Sequence, residues 1–119
     1  MLSGARAELK EDSTSQRYVN LSRDILFRAN YSISVQKLAQ QLFITPAHLH
    51  YVFKQVIGIS PKQYITERRM ELGKSLLADG MPPTEVAKVL KYSDYVMFYR
   101  AFIKQYGIPP TAYHAGEDA

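Results

Sequence analysis

Displaced against itself by 49 residues, the sequence matches at Phe53, Gly58, Ile59, Pro61 and Tyr64, which fall on Phe102, Gly107, Ile108, Pro110 and Tyr113. Thr45 and Asp94, two residues suited to start a helix, coincide under the same displacement. Leu38, Ala39 and Leu42 match Val86, Ala87 and Leu90 at a displacement of 48, so the turn of the second copy holds one extra residue. Each copy reads as a short helix with apolar or small residues at i, i+1 and i+4, a turn of about four residues, and a longer helix stopped by glycine. A helical hairpin repeated only for packing would give the same pattern, but solenoids need roughly three or more copies and this chain has two.

The other signals agree with an all-helical chain. Met1 to about Ser15 is polar with no apolar period and reads as a tail or linker remnant. Val19, Leu21, Ile25, Leu26 and Phe27 then recur near helical spacing, which predicts a first helix from Tyr18 to Asn30. Ser34 caps a second, Thr45-Pro46 opens a third over 46–57, and Gly58 stops it. Ser60, Pro61 and Gln63 form a capping box for a fourth helix, Pro61 to Ala78, whose expected core positions are Tyr64, Ile65, Leu72 and Leu76. Asp79-Gly80 and Pro82-Pro83 end it and reset the chain for a short fifth helix through Val86 to Leu90. Asp94 caps a sixth over 95–106, Gly107 stops it, and Pro109-Pro110 open a last turn. About seven helices result, in two helix-turn-helix subdomains (16–58 and 81–114) joined by a long linker helix (59–80), with tails at 1–15 and 115–119.

Charge and composition narrow the function. Of 15 Lys and Arg and 11 Asp and Glu, 13 basic and 6 acidic residues lie between Ser13 and His114, so that segment carries +7, the sign of a surface that meets phosphate. There is no cysteine, hence no disulfide framework or thiolate metal site. His48 and His50 lie about 200° apart around a helix and cannot share a metal, and His114 stands alone. No glycine-rich phosphate loop and no nucleophile with an evident base is present, so neither an enzyme nor a cofactor is expected. No apolar run reaches the ~20 residues of a membrane span and no signal peptide opens the chain, which points to a soluble cytoplasmic protein.

With Leu49 and Phe53 turned inward, Ala47, His50, Tyr51 and Lys54 lie on the outer side of the third helix. A small residue near the helix start permits approach to a thymine methyl, His50 and Tyr51 can hydrogen-bond base edges or phosphate, and Lys54 suits phosphate. On the sixth helix, Val96, Arg100 and Ile103 turn outward, with Tyr99 and Lys104 beside them and Tyr95 and Met97 adding to an apolar surface. That face either meets thymine methyls around a base-reading Arg100 or covers a protein partner. Of Arg68 and Arg69, at least one is expected to be structural, by bridging or by capping carbonyls, with phosphate as the rival use. A fourth helix of roughly 27 Å can help separate two recognition helices by the ~34 Å of one DNA turn.

From Val35 to Tyr113 the chain resembles the DNA-binding domain of the AraC/XylS family of bacterial transcription regulators. The resemblance rests on Leu38-Ala39, Leu49 to Gly58 around Phe53-Lys54, Pro61 to Ile65 with Arg69, Leu76-Leu77, and Phe98 to Tyr113 with Phe102, Gly107, Pro109-Pro110 and Tyr113. It implies seven helices, binding to adjacent major-groove segments of double-stranded DNA, activation through RNA polymerase and an upstream sensor domain. By position it implies base reading by Ala47, His50 and Tyr51 in the first unit and by Tyr95, Val96, Tyr99 and Arg100 in the second. Thr45, Lys54 and Lys104 are the expected phosphate contacts. The alternative is that only the first unit binds DNA while the apolar sixth helix docks on a protein. The chain departs from the family pattern at four places. Phe43 and Lys91 replace the turn glycines, so each turn carries a positive-φ side chain or takes another form. Gly73 replaces an alanine, at roughly 1 kcal/mol of helix propensity unless close packing offsets it, and Ile103 replaces a basic residue.

Overall fold

A computed structural model describes the backbone of residues 2–113 and the side chains of 14–113. Among the described residues the chain is all-helical: α1 (Leu2–Arg28), α2 (Val35–Gln41), α3 (Pro46–Val56), α4 (Pro61–Ala78), α5 (Pro83–Val89), α6 (Tyr95–Tyr106) and α7 (Pro110–Tyr113). The caps fall where the sequence puts them. Ser34, Thr45, Ser60 and Asp94 each accept a hydrogen bond from the backbone N–H three residues on, at 3.1, 3.1, 3.1 and 2.9 Å. Gly107 closes α6 in the left-handed region at φ 76°. The expected 115–119 tail and His114 lie outside the described residues.

Helix α1 departs most from expectation. It starts at Leu2 instead of near Tyr18, so the stretch read as a polar tail is helical along its backbone, and it ends at Arg28, before Asn30 and Tyr31 at φ 52° and 58°. Residues 5–11 (ARAELKE) are good helix formers without glycine or proline, which favours continuing the helix despite the missing apolar period. The buried stripe also differs from the apolar reading. Ser15, Val19, Ser22 and Leu26 are buried, whereas Leu21 and Phe27 are exposed, Phe27 at 70%. Spacings of 4, 3 and 4 put these four on one face. Ser22 satisfies its hydroxyl by donating to the Tyr18 carbonyl at 2.8 Å.

The chain divides into two compact units, the first containing residues up to Ala29 and Ile33–Tyr64, the second Asn30–Ser32 and the chain from Ile65 onward. The border thus falls inside α4. In the first unit α1 packs on α2 and α3, with Leu38, Leu49, Val52 and Phe53 fully buried and the Phe53 and Tyr64 rings edge to face at 5.5 Å. The second unit closes around Met70, Leu77, Val86, Ala87, Leu90, Phe98 and Phe102. Met70 and Leu77 are the innermost residues of this part of α4, while Leu72 and Leu76, expected as core, pack at its margin. Gly73 is buried there, and a Cβ at this position would lie 3.0 Å from Leu90 Cδ1 and 3.4 Å from Phe98 Cε1. Close packing therefore accompanies the glycine.

Candidate nucleic-acid interface

The two helix-turn-helix turns share one backbone design. After α2, the Phe43 N–H donates to Gln40 O and the Ile44 N–H to Ala39 O, each at 3.1 Å; after α5, the Lys91 N–H donates to Lys88 O and the Tyr92 N–H to Ala87 O, each at 3.0 Å. This is the Schellman pattern, which requires a left-handed residue just past the helix end, usually glycine. Here those residues are Phe43 at φ 58° and Lys91 at φ 60°. Of the two possibilities left by the sequence, the structure takes positive φ at both turns.

The second turn is held from α4. Arg69 donates from Nε at 3.1 Å and from Nη2 to the carbonyl of Leu90, and its guanidinium lies 3.9 Å from the centre of the Tyr92 ring. Burial lowers the Arg69 pKa, partly offset by Tyr92, and burial raises that of Tyr92 against the opposing effect of Arg69. Arg69 is thus the structural arginine of its pair. Arg68 is exposed and ion-paired to Glu71 at 3.0 Å. Lys74 sits 5.0 Å from both the Tyr106 and Tyr113 ring centres, tying α4 to α6 and α7.

Fixed by these turns and caps, α3 and α6 expose matching rows. On α3, Ala47, His50, Tyr51 and Lys54 stand at i, i+3, i+4 and i+7, all exposed, while Leu49, Val52 and Phe53 face inward. On α6 the same register gives Val96, Tyr99, Arg100 and Ile103, again all exposed, with Lys104 exposed beside them. Among the described residues, Arg100, Lys54 and Lys104 have no hydrogen-bond or ion-pair partner. Thr45 is exposed at the start of α3, and its oxygen, already accepting from His48, leaves the hydroxyl proton free to donate. Tyr95 differs from the other proposed readers. It is half-buried, packed on the second core with its ring 6.2 Å from Phe98 and 6.0 Å from Tyr99. His48, beyond the expected row, is exposed and meets Tyr18 edge to face at 5.5 Å. Lys91 is a further exposed cation, signalled in the sequence only by its place in the turn before α6, at a break in the apolar pattern. Among the described residues no group of three or more His, Cys, Asp or Glu could hold a metal, and no helix is long and apolar enough to cross a membrane.

Two helix-turn-helix units, each presenting a capped second helix with an exposed face that includes small, aromatic and cationic side chains, define a helix-turn-helix domain of the DNA-binding class. A family model described as a helix-turn-helix domain matches residues 38–116. The chain is 35% identical over 82 residues to the "Probable transcriptional regulator LumQ" of Photobacterium leiognathi, covering 68% of this chain and 33% of that protein. It is 32% identical over 82 residues to the lactose operon transcription activator of Staphylococcus xylosus, covering 68% and 29%. Among solved structures it resembles the C-terminal domain of AraT, a response regulator from Geobacillus stearothermophilus, with a TM-score of 0.74 and 28% identity over 82% of this chain and 83% of that one. The chain belongs to the AraC/XylS family and carries the helix-turn-helix DNA-binding domain of a transcription regulator. It spans about a third of the length of these two relatives.

Proposed function

We propose that both units bind one DNA site, with α3 and α6 entering successive major grooves, and that the bound protein activates transcription. The observation that carries this reading is the position-by-position match of the exposed rows: Ala47 with Val96, His50 with Tyr99, Tyr51 with Arg100 and Lys54 with Ile103, all at the displacement of the internal repeat. Ala47, His50, Tyr51, Val96, Tyr99 and Arg100 read bases, with Tyr95 at the edge of the set because its ring packs on the second core. Thr45, Lys54 and Lys104 hold phosphates. In this reading α4 (Pro61–Ala78) links the units and helps set the groove spacing.

Activation is supported by the name of the S. xylosus relative, a transcription activator, and contact with RNA polymerase is the proposed route to it. The greater length of the relatives supports a sensor domain elsewhere in the full protein. The protein acts in the bacterial cytoplasm, on the nucleoid, and carries no catalytic activity. A second reading draws on the exposed apolar residues of α6, Val96 and Met97 among them: only the first unit grips DNA, and α6 docks on a protein.

Footprinting on a duplex selected from a random pool separates the two. Protection of two successive major grooves is expected, and protection of one would leave only the first unit as the DNA reader. Arg100→Ala should then relax base preference at one position by ~1–3 kcal/mol. Lys54→Ala should weaken all duplexes alike and reduce the salt slope by about one. Unchanged sequence preference in Arg100→Ala would remove the second unit from base reading.

A further inference from the structure

The two exposed rows match in position but not in chemistry, and the mismatch says what the second unit reads. On α3 the fourth position is Lys54; on α6 it is Ile103, 36% exposed, and the first is Val96, 52% exposed. Between them stands Arg100, exposed and unpartnered among the described residues. A single exposed apolar residue needs no explanation, but two on one row with an aromatic between them mark a contact surface. A purely apolar partner would bury the guanidinium unpaired, at a desolvation cost it does not recover. Over α5 and α6 the exposed Lys88, Lys91 and Lys104 outnumber the exposed Glu85 and Asp94, which leaves this part of the unit net positive, the sign that suits phosphate. The major-groove edge of a duplex supplies both halves of the match. Guanine O6 and N7 accept a guanidinium, and thymine offers the groove's apolar group, its 5-methyl.

We infer that Val96 and Ile103 are specificity-determining residues, each packing on a thymine methyl to either side of one guanine held by Arg100. This rests on the proposed reading that α6 enters the major groove. The spacing is testable. Arg100 is four residues from Val96 and three from Ile103, about 6 and 4.5 Å along the helix axis. With ~3.4 Å per base pair, both thymines lie one or two base pairs from the guanine.

The experiment uses the full chain and a duplex selected from a random pool. Protection of the second groove is mapped first. Each dT in that groove is then replaced singly by dU, which removes only the methyl. Loss of affinity of about fourfold is expected at one dT on each side of the guanine, the scale of one buried methyl. Val96→Ala should abolish the dT preference on one side and Ile103→Ala on the other, with the wild-type preference kept at the remaining position. Both side chains are exposed, so neither variant disturbs the core. A protected second groove with no sensitivity to dU overturns the methyl reading and leaves the proposed DNA reading standing. An unprotected second groove overturns both, and a protein captured through α6 in its place would be the expected companion of that result.

Discussion

A side chain at φ near +60° crowds its Cβ against the following carbonyl, at a cost of roughly 1–2 kcal/mol that glycine avoids. Phe43 and Lys91 carry that cost, and Phe43 is 94% exposed, so its ring gains almost no burial in return. Phe43→Gly should raise stability by about 0.5–1 kcal/mol, net of the extra freedom glycine gives the unfolded chain. Urea denaturation measures it, and a loss of stability would mean the ring makes a contact its exposure does not suggest. Arg69 presents the opposite case. Removing its guanidinium in Arg69→Leu withdraws both donors from the Leu90 carbonyl and the cation from Tyr92, for an expected loss of about 2 kcal/mol. Arg69→Lys should recover only part, because an ammonium lacks the planar fork. Tyr92 adds a pH signature. Burial raises its folded pKa above the unfolded value near 10, so its stabilising contribution is complete below about pH 10 and is lost as pH rises through the folded value. Tyr92→Phe should remove that part of the alkaline loss, as read from unfolding midpoints across the range. The sequence could flag the arginine pair but not choose between its members, because the deciding partner is a carbonyl 21 residues away.

Helices α2 to α7 were legible because their ends are local chemistry: a hydroxyl or carboxylate three residues before the N–H it accepts, a proline in the first turn, a glycine past the last. Helix α1 was legible only over its C-terminal part, from Tyr18 to Arg28, and its buried face was misassigned because, among the described residues, half of its buried stripe is serine. Ser15 and Ser22 interrupt the apolar period while their size suits close packing, and the exposed Leu21 and Phe27 supply a false one. Gly73 marks a similar limit on α4. Propensity alone favours replacing it by alanine by about 1 kcal/mol, but the new Cβ would meet Leu90 Cδ1 at 3.0 Å and displace a side chain at the centre of the second core. The two effects are of similar size, so Gly73→Ala should leave stability nearly unchanged. Gly73→Val adds branching against both Leu90 and Phe98 and should cost about 2 kcal/mol or more. Thermal unfolding of the pair measures it. A Gly73→Ala protein stabilised by the full propensity difference would show that the α4–α5–α6 packing yields easily.

Between its two copies, the repeat keeps its inner positions apolar and lets its outer ones diverge. Phe53 and Phe102, both fully buried, occupy equivalent places in two separate cores, while Lys54 and Ile103 one position later do not agree even in charge. The exposed rows were legible from spacing alone, since i, i+3, i+4 and i+7 share a face once the core positions are known. The half-burial of Tyr95 was not, because it depends on the Phe98 ring across the turn of the helix. The divergence has a thermodynamic consequence. Each phosphate neutralised by a cation steepens the fall of affinity with salt by about 0.9 in the logarithmic slope, and a methyl contact adds affinity without that dependence. Lys54 and Ile103 should therefore contribute differently to one binding event, the first through counterion release and the second through apolar burial. Ile103→Lys makes the rows alike at their fourth position. It should steepen the salt slope by about 0.9 and raise affinity at low salt for matched and unmatched duplexes alike. The gain should be smallest on a site keeping the thymine that Ile103 meets, because there the lost methyl contact offsets part of it. Titrations of both duplexes over a range of salt concentrations measure the slope and the difference between them. An unchanged slope would place residue 103 away from the phosphates, and an equal gain on both duplexes would leave the isoleucine no part in choosing the site.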